Sequence, residues 1–284
     1  MAANLQLLKR RIKTAKNISQ IAKAMEMISA SKIKRAQDAT TANKPYASRI
    51  ERITTSLLHS LTQKKYTHPY LEENESETKM LLVISPDKGL CGSLNANLYR
   101  KVMEYKDKKV KVVTVGKKAE QFCASRGFDL QASFLMGSTL PSYTTVITIK
   151  ELIENEFLSG NVSNVEILYS SFESFFSQVP VVKQLLPVIP LANDEEGVAT
   201  LPDYTFEPEP QQILDSLLPY FLETQIYQAF IEAHTSEQAA RMMAMQNAKN
   251  AALDIADYLT LTYNKLRQER ITNEILDLNN SKIV

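Results

Sequence analysis

Glycine is missing from both ends of this chain. All seven glycines (Gly89, Gly92, Gly116, Gly127, Gly137, Gly160 and Gly197) fall in its middle. No proline occurs before Pro45 or after Pro219. These are the two strongest helix breakers, so their absence predicts two long helices bracketing a turn-rich centre. Cysteine is scarce as well. Cys91 and Cys123 are the only two, and they form no CxxC or other metal-ligand spacing. No structural zinc or disulfide is therefore implied, and free thiols in a reducing compartment are expected.

Long hydrophobic runs are also lacking. The longest apolar stretch, Val179 to Leu191, is broken by Pro180, Lys183, Pro187 and Pro190, short of the roughly 18 residues a membrane span needs. Acidic residues are nearly absent from residues 1 to 35, where Lys9, Arg10, Arg11, Lys13, Lys16, Lys23, Lys32, Lys34 and Arg35 face Glu26 alone, although the net charge of the whole chain is only +1. Such an end has the composition of an organelle transit peptide. Its pattern, however, runs unbroken into Ile50 and beyond, where a cleaved presequence would have ended, and no secretory h-region is present. At 284 residues and 44% hydrophobic, the chain can bury one sizeable core without staples.

Near the N-terminus, apolar residues recur at steps of three and four through Leu5, Leu8, Ile12 and Ala15, then Ile18, Ile21, Met25 and Ile28. That spacing predicts one buried helical stripe. From about Gln211 to Leu278 a second stripe carries small residues: Ala240, Ala244, Ala248, Ala251, Ala252, Ile255, Ala256 and Leu259. If continuous, this segment would extend roughly 100 Å at about 1.5 Å per residue. A helix of that length argues for a coiled coil with the N-terminal helix, antiparallel because a folded middle separates the two ends. Between them, Lys79 to Ser85, Lys109 to Val115, Val165 to Ser170 and Val179 to Val188 read as strands. Helices are expected at Leu94 to Tyr105, Lys117 to Ser125 and Thr144 to Phe157. Alternation of this kind predicts an α/β layer with a mainly parallel sheet.

The run Asp87-Lys88-Gly89-Leu90-Cys91-Gly92-Ser93-Leu94 follows a strand and opens a helix, where a phosphate loop would sit. Its spacing fits neither GxGxxG nor GxxxxGK[ST]. A tight turn is the preferred reading, with Gly89 and Gly92 needed for backbone conformation. His59, His68 and His234 are scattered and form no metal set. No GxSxG or paired His and Cys supports nucleophilic catalysis, and Glu72-Glu73 and Asp194-Glu195-Glu196 read as solvated carboxylates. Met25, Met27, Met242, Met243 and Met245 read as helix core, with sliding contact against several partners as the functional alternative. The basic N-terminal face could meet an acidic protein, nucleic acid or an anionic membrane.

Five blocks then carry a resemblance. They are Ile21-Ala-Lys-Ala-Met25-Glu-Met-Ile-Ser-Ala-Ser-Lys32, Ser85-Pro-Asp-Lys-Gly-Leu-Cys-Gly-Ser-Leu-Asn95, Ala239-Ala-Arg-Met-Met-Ala-Met245, Leu261-Thr-Tyr-Asn-Lys-Leu-Arg-Gln268 and Ile271-Thr-Asn-Glu274. In order and over nearly the whole chain, they resemble the gamma chain of F-type ATP synthases.

The resemblance implies an antiparallel coiled coil plus a Rossmann-like α/β middle domain. The expected divisions are a coiled-coil helix over 1–60, the α/β domain over 75–190, a linker over 191–210 and the second coiled-coil helix over 211–284. It implies a non-catalytic, rotating central stalk inside a ring of three alpha and three beta subunits, coupling proton flow to ATP synthesis and hydrolysis. It also implies the epsilon subunit and the membrane rotor ring of c subunits as partners, and no cofactor, metal or nucleic acid. The location implied is peripheral, on the cytoplasmic face of a bacterial plasma membrane. Carried over by motif, Lys23, Met25, Arg267, Gln268 and Thr272 would contact the beta subunit. Ser281-Lys282 replace the family's usual Gly-Ala near the C-terminal tip, leaving the bearing contacts there open. The chloroplast-type insertion with paired cysteines has no counterpart between Leu185 and Gln211, so thiol control is not expected. Two rivals from other classes are a nucleotide-binding α/β enzyme using Gly89 to Asn95, and a coiled-coil adaptor whose basic helix binds an acidic partner or membrane surface.

Overall fold

The computed structural model describes residues 2–62, 68–137, 139–189 and 209–280. The expected linker, apart from its last two residues, and the Ser281-Lys282 tip lie outside these residues. Two long helices, α1 (Ala2–Thr62) and α5 (Pro210–Asn280), flank five strands and three shorter helices. Both helices are as free of glycine as the sequence requires, but each contains one proline, Pro45 and Pro219. Proline has no N–H, so each removes one backbone hydrogen bond from its helix.

The chain divides into two compact units, and the divisions fall inside the long helices. Unit 1 is Met1–Ser31 with Arg241–Val284, and unit 2 is Lys32–Ala240.

In unit 2 the strands are β1 (Lys79–Ile84), β2 (Val110–Val115), β3 (Asp129–Phe134), β4 (Val165–Phe172) and β5 (Gln178–Leu186). They form one sheet in the order β3-β2-β1-β4-β5. Every pairing is parallel except the β4 and β5 hairpin. Central β1 is buried on both faces, which is why it reads as an unbroken apolar run. Its alternation divides the core in two. Leu81 and Val83 pack with Leu98 and Val102 of α2 (Leu94–Met103) and with Ala119 and Cys123 of α3 (Lys117–Ser125).

Met80, Leu82 and Ile84 face the other way, onto Val146, Ile149, Ile153 and Phe157 of α4 (Tyr143–Leu158). The same cluster takes Leu57 and Leu58 from α1 and Leu214, Leu218, Leu222, Ile226 and Phe230 from α5. That four-residue spacing lays one stripe of α5 on the sheet. The first half of α5 is thus part of the α/β core rather than a free helix.

Two expectations change here. Strand β3 was not anticipated, because its segment Asp-Leu-Gln-Ala-Ser-Phe is a half-exposed edge with small and polar residues. In unit 1 the stripe is composed differently from the one expected. Ala15, Ser19, Ala22 and Ser29 are buried on α1, whereas Ile18, Ile21 and Ile28 are 50%, 61% and 57% exposed.

Candidate partner-binding surfaces

The turn after β1 is held together by its own side chains. Asp87 accepts backbone hydrogen bonds from Lys117 (3.1 Å) and Met136 (3.3 Å) at Oδ1 and from Gly137 (2.9 Å) at Oδ2. Ser85 Oγ accepts from the Ala119 N–H at 2.8 Å. Helix α3 begins after Gly116, which has no side chain to cap it. Ser85 and the carboxylate of Asp87 supply that cap from another loop, with negative charge at the positive end of the helix.

At the start of α2, Cys91 and Leu94 are buried against Ala240 of α5. These apolar contacts and the Asp87 hydrogen bonds fix the run Asp87 to Leu94 as a turn. Gly92 has φ +58° and Leu90 φ +64°, so the left-handed positions are those two. Gly89 needs no such conformation: φ is not positive and a β-carbon there would meet nothing within 4 Å.

Unit 1 has its chemistry on its outside. Its buried residues are mostly small, Ala15, Ser19, Ala22 and Ser29 on α1 and Ala252 and Ala256 on α5, joined by Met245 and Arg241. Small residues at a helix seam leave larger ones to point outward. Leu7, Ile18, Ile21, Met27 and Ile28 on α1 and Leu253, Ile255, Tyr258, Leu261 and Ile271 on α5 are all exposed. A groove of about 650 Å³ is lined by Arg10, Arg11 and Ile18 on one helix and by Ala251, Ile255 and Tyr258 on the other. Of the methionines, Met245 is buried, Met25, Met242 and Met243 are half-buried, and Met27 is 64% exposed. Glu26, the lone acid of the basic end, pairs with Lys249 at 2.7 Å, both side chains being 22% exposed. Exposed apolar residues in this number mark an interaction surface.

A family model described as ATP synthase matches residues 4–281. The ATP synthase gamma chain of Dehalococcoides mccartyi strain BAV1 is 41% identical over 280 residues, 97% of each chain.

The chain belongs to the ATP synthase gamma-chain family.

The gamma chain of Chloroflexus aurantiacus J-10-fl is 38% identical over 278 residues, 95% of each chain. Among solved structures, a chain of the Euglena gracilis mitochondrial ATP synthase (OSCP/F1/c-ring, rotational state 3) matches with TM-score 0.71 and 18% identity, covering 99% of this chain and 94% of that one. At that identity the likeness is one of fold. This gamma chain is the central-stalk subunit of an F-type ATP synthase.

The five residues carried over by motif all fall in unit 1. Lys23 is exposed and Met25 half-buried. Two residues apart on a helix, they lie on nearly opposite faces, so the structure does not bring them together. Arg267, Gln268 and Thr272 are exposed on α5, and the Thr272 hydroxyl donates to the Gln268 carbonyl at 3.0 Å. Gln268 and Thr272 share a face at the i,i+4 spacing.

The roles of Ser85 and Asp87 and the Glu26 to Lys249 pair were missed from sequence. Nothing in local spacing relates residue 87 to 117 or 26 to 249. Among the described residues, no helix is long and apolar enough to cross a membrane.

Proposed function

We propose that this gamma chain is the rotating shaft of its synthase and performs no catalysis itself, ATP chemistry belonging to the beta subunits. Unit 1 turns inside the ring of alpha and beta subunits. Unit 2 meets the epsilon subunit and the membrane rotor ring, so the chain is peripheral to the cytoplasmic face of a bacterial plasma membrane. The division into coiled-coil helices over 1–60 and 211–284, a linker over 191–210 and an α/β domain over 75–190 is part of this reading, with the end of α1 and the first half of α5 also packed on the sheet.

The observation that carries it is the outward apolar surface of unit 1 around a seam of small residues. A shaft must be stiff along its axis and different on each side, so that each angular position stabilises a different conformation of a chemically identical subunit. Contacts that are apolar and individually weak allow sliding, whereas a ring of strong ion pairs would lock. Lys23, Met25, Arg267, Gln268 and Thr272 are proposed to touch beta.

The test is reconstitution with alpha and beta subunits from the same source. One copy should assemble per three alpha-beta pairs, and a bead on a cysteine placed in unit 2 should turn with ATP. No complex, or ATP hydrolysis indifferent to this chain, would overturn the reading. Salt-sensitive binding to DNA or anionic vesicles would then favour the adaptor.

A further inference from the structure

Within unit 2, between α1, α4 and α5, lies a cavity of about 310 Å³ lined by Tyr46, Ala47, Tyr143, Tyr220, Thr224, Tyr227 and Gln228. Its volume is at the lower end for ligand sites, enough for one side chain or a small headgroup. The four tyrosines form two edge-to-face pairs: Tyr46 with Tyr220 (centroids 6.1 Å, 82°) and Tyr143 with Tyr227 (5.5 Å, 78°).

Several polar atoms of this cavity have a proton engaged and keep lone pairs free. The Tyr46 and Tyr220 hydroxyls bond to each other. Thr224 Oγ1 donates to the Tyr220 carbonyl at 2.8 Å, and the carboxylate of Glu223 lies close enough to the Tyr143 hydroxyl to act on it electrostatically. Gln228 Nε2 donates to Glu232 Oε1 at 2.9 Å. A carboxylate can only accept, so this fixes the orientation of the amide. It leaves Gln228 Oε1 buried without a partner, a cost in free energy unless a ligand donates to it. Aromatic faces, spare acceptors and a neighbouring carboxylate complement one kind of guest.

We propose that this tyrosine cage binds an organic cation, an alkylammonium or guanidinium group. The rings supply cation-π attraction and Glu223 the opposite charge. Gln228 Oε1 accepts an N–H where the cation carries one. Fit depends on positive charge, not on apolar bulk alone. The site is independent of the shaft reading, because none of its residues belongs to unit 1.

The test uses the full chain labelled with fluorotyrosine and fluorine NMR, titrated with tetramethylammonium chloride at constant ionic strength. Tyr46, Tyr143, Tyr220 and Tyr227, assigned by Tyr→Phe variants, should follow one saturable curve in the millimolar range while the other tyrosines stay put. tert-Butanol, a neutral molecule of similar shape, should not reproduce the curve. Tyr227→Leu should weaken binding about tenfold. Glu223→Gln, a subtler change, should weaken it by a smaller factor in a chain that stays folded. Linear shifts, shifts spread over all tyrosines, or an equal response to tert-butanol overturn the proposal. Repeating the titration in the assembled enzyme identifies the natural source. A cage already shifted and insensitive to the probe holds a lysine or arginine of a partner, and one still titratable serves a free cation.

Discussion

A β-carbon at Gly116 would lie 2.0 Å from the Ser85 carbonyl oxygen, and φ there is +94°. Neither the backbone conformation nor the space admits a side chain. Gly116→Ala should cost about 3 kcal/mol or more in urea unfolding, beyond the usual range for surface changes. Gly89→Ala should be close to neutral. Asp87→Asn retains one acceptor oxygen but sets an amide against the Gly137 N–H, and should lower stability by about 1–3 kcal/mol; an unchanged denaturation midpoint would refute its capping role. His68 is the residue with a pH consequence. Burial lowers its pKa from the ordinary 6.5, opposed by the nearby Asp215 carboxylate, and its Nδ1 accepts the Tyr70 N–H at 3.1 Å. Because the folded pKa is the lower one, the unfolded chain takes up the proton first. Stability should therefore fall as pH drops below 6.5 and level off beneath the folded pKa. His68→Asn can keep the acceptor without titrating, and should flatten that part of a stability-against-pH curve.

At the scale of the element, the helix seam of unit 1 separates burial from hydrophobicity. Ala22→Leu should overpack it and lower the thermal midpoint by an amount equivalent to about 1–3 kcal/mol. Its neighbour Ile21→Ser should leave stability nearly unchanged, because that side chain is already in solvent. If Ile21→Ser proves the more destabilising of the two, the seam is assigned to the wrong face. This is also where the sequence misleads. Periodicity assigns the largest apolar residues to the interior, which holds for α2 and α4 but fails where a partner helix needs small residues and an outer surface needs large ones. The long helices themselves were legible from missing glycine and proline, and β1, β2 and β4 from apolar runs. Edge strand β3 was not, since an exposed edge carries a weak pattern. The cap on α3 was also hidden, because its donors and acceptors lie about thirty residues apart and meet only through the parallel crossover. Lys23, Met25, Arg267, Gln268 and Thr272 came from motif resemblance, and no spacing rule would have singled them out.

At the scale of the whole molecule, a near-neutral total conceals a basic N-terminal end whose one acid is engaged by Lys249. Replacing Arg267 and Gln268 together by alanine should reduce ATP hydrolysis by the reconstituted complex a few-fold without altering the unfolding of the chain. Exposed polar contacts contribute about 1 kcal/mol or less each. A double variant with full activity would remove these two from the beta contact.

The two cysteines, finally, are both sealed in unit 2. Cys91 is 2% exposed and Cys123 fully enclosed, with burial pushing the Cys123 thiol up to about 11. Thiolate is the reacting form, so at neutral pH the folded surface is close to silent toward maleimides and disulfide reagents. A spin label, dye pair or bead tether can then be placed at one engineered surface thiol without first stripping the native ones. Any slow background reaction becomes a clock for the opening of the α/β core.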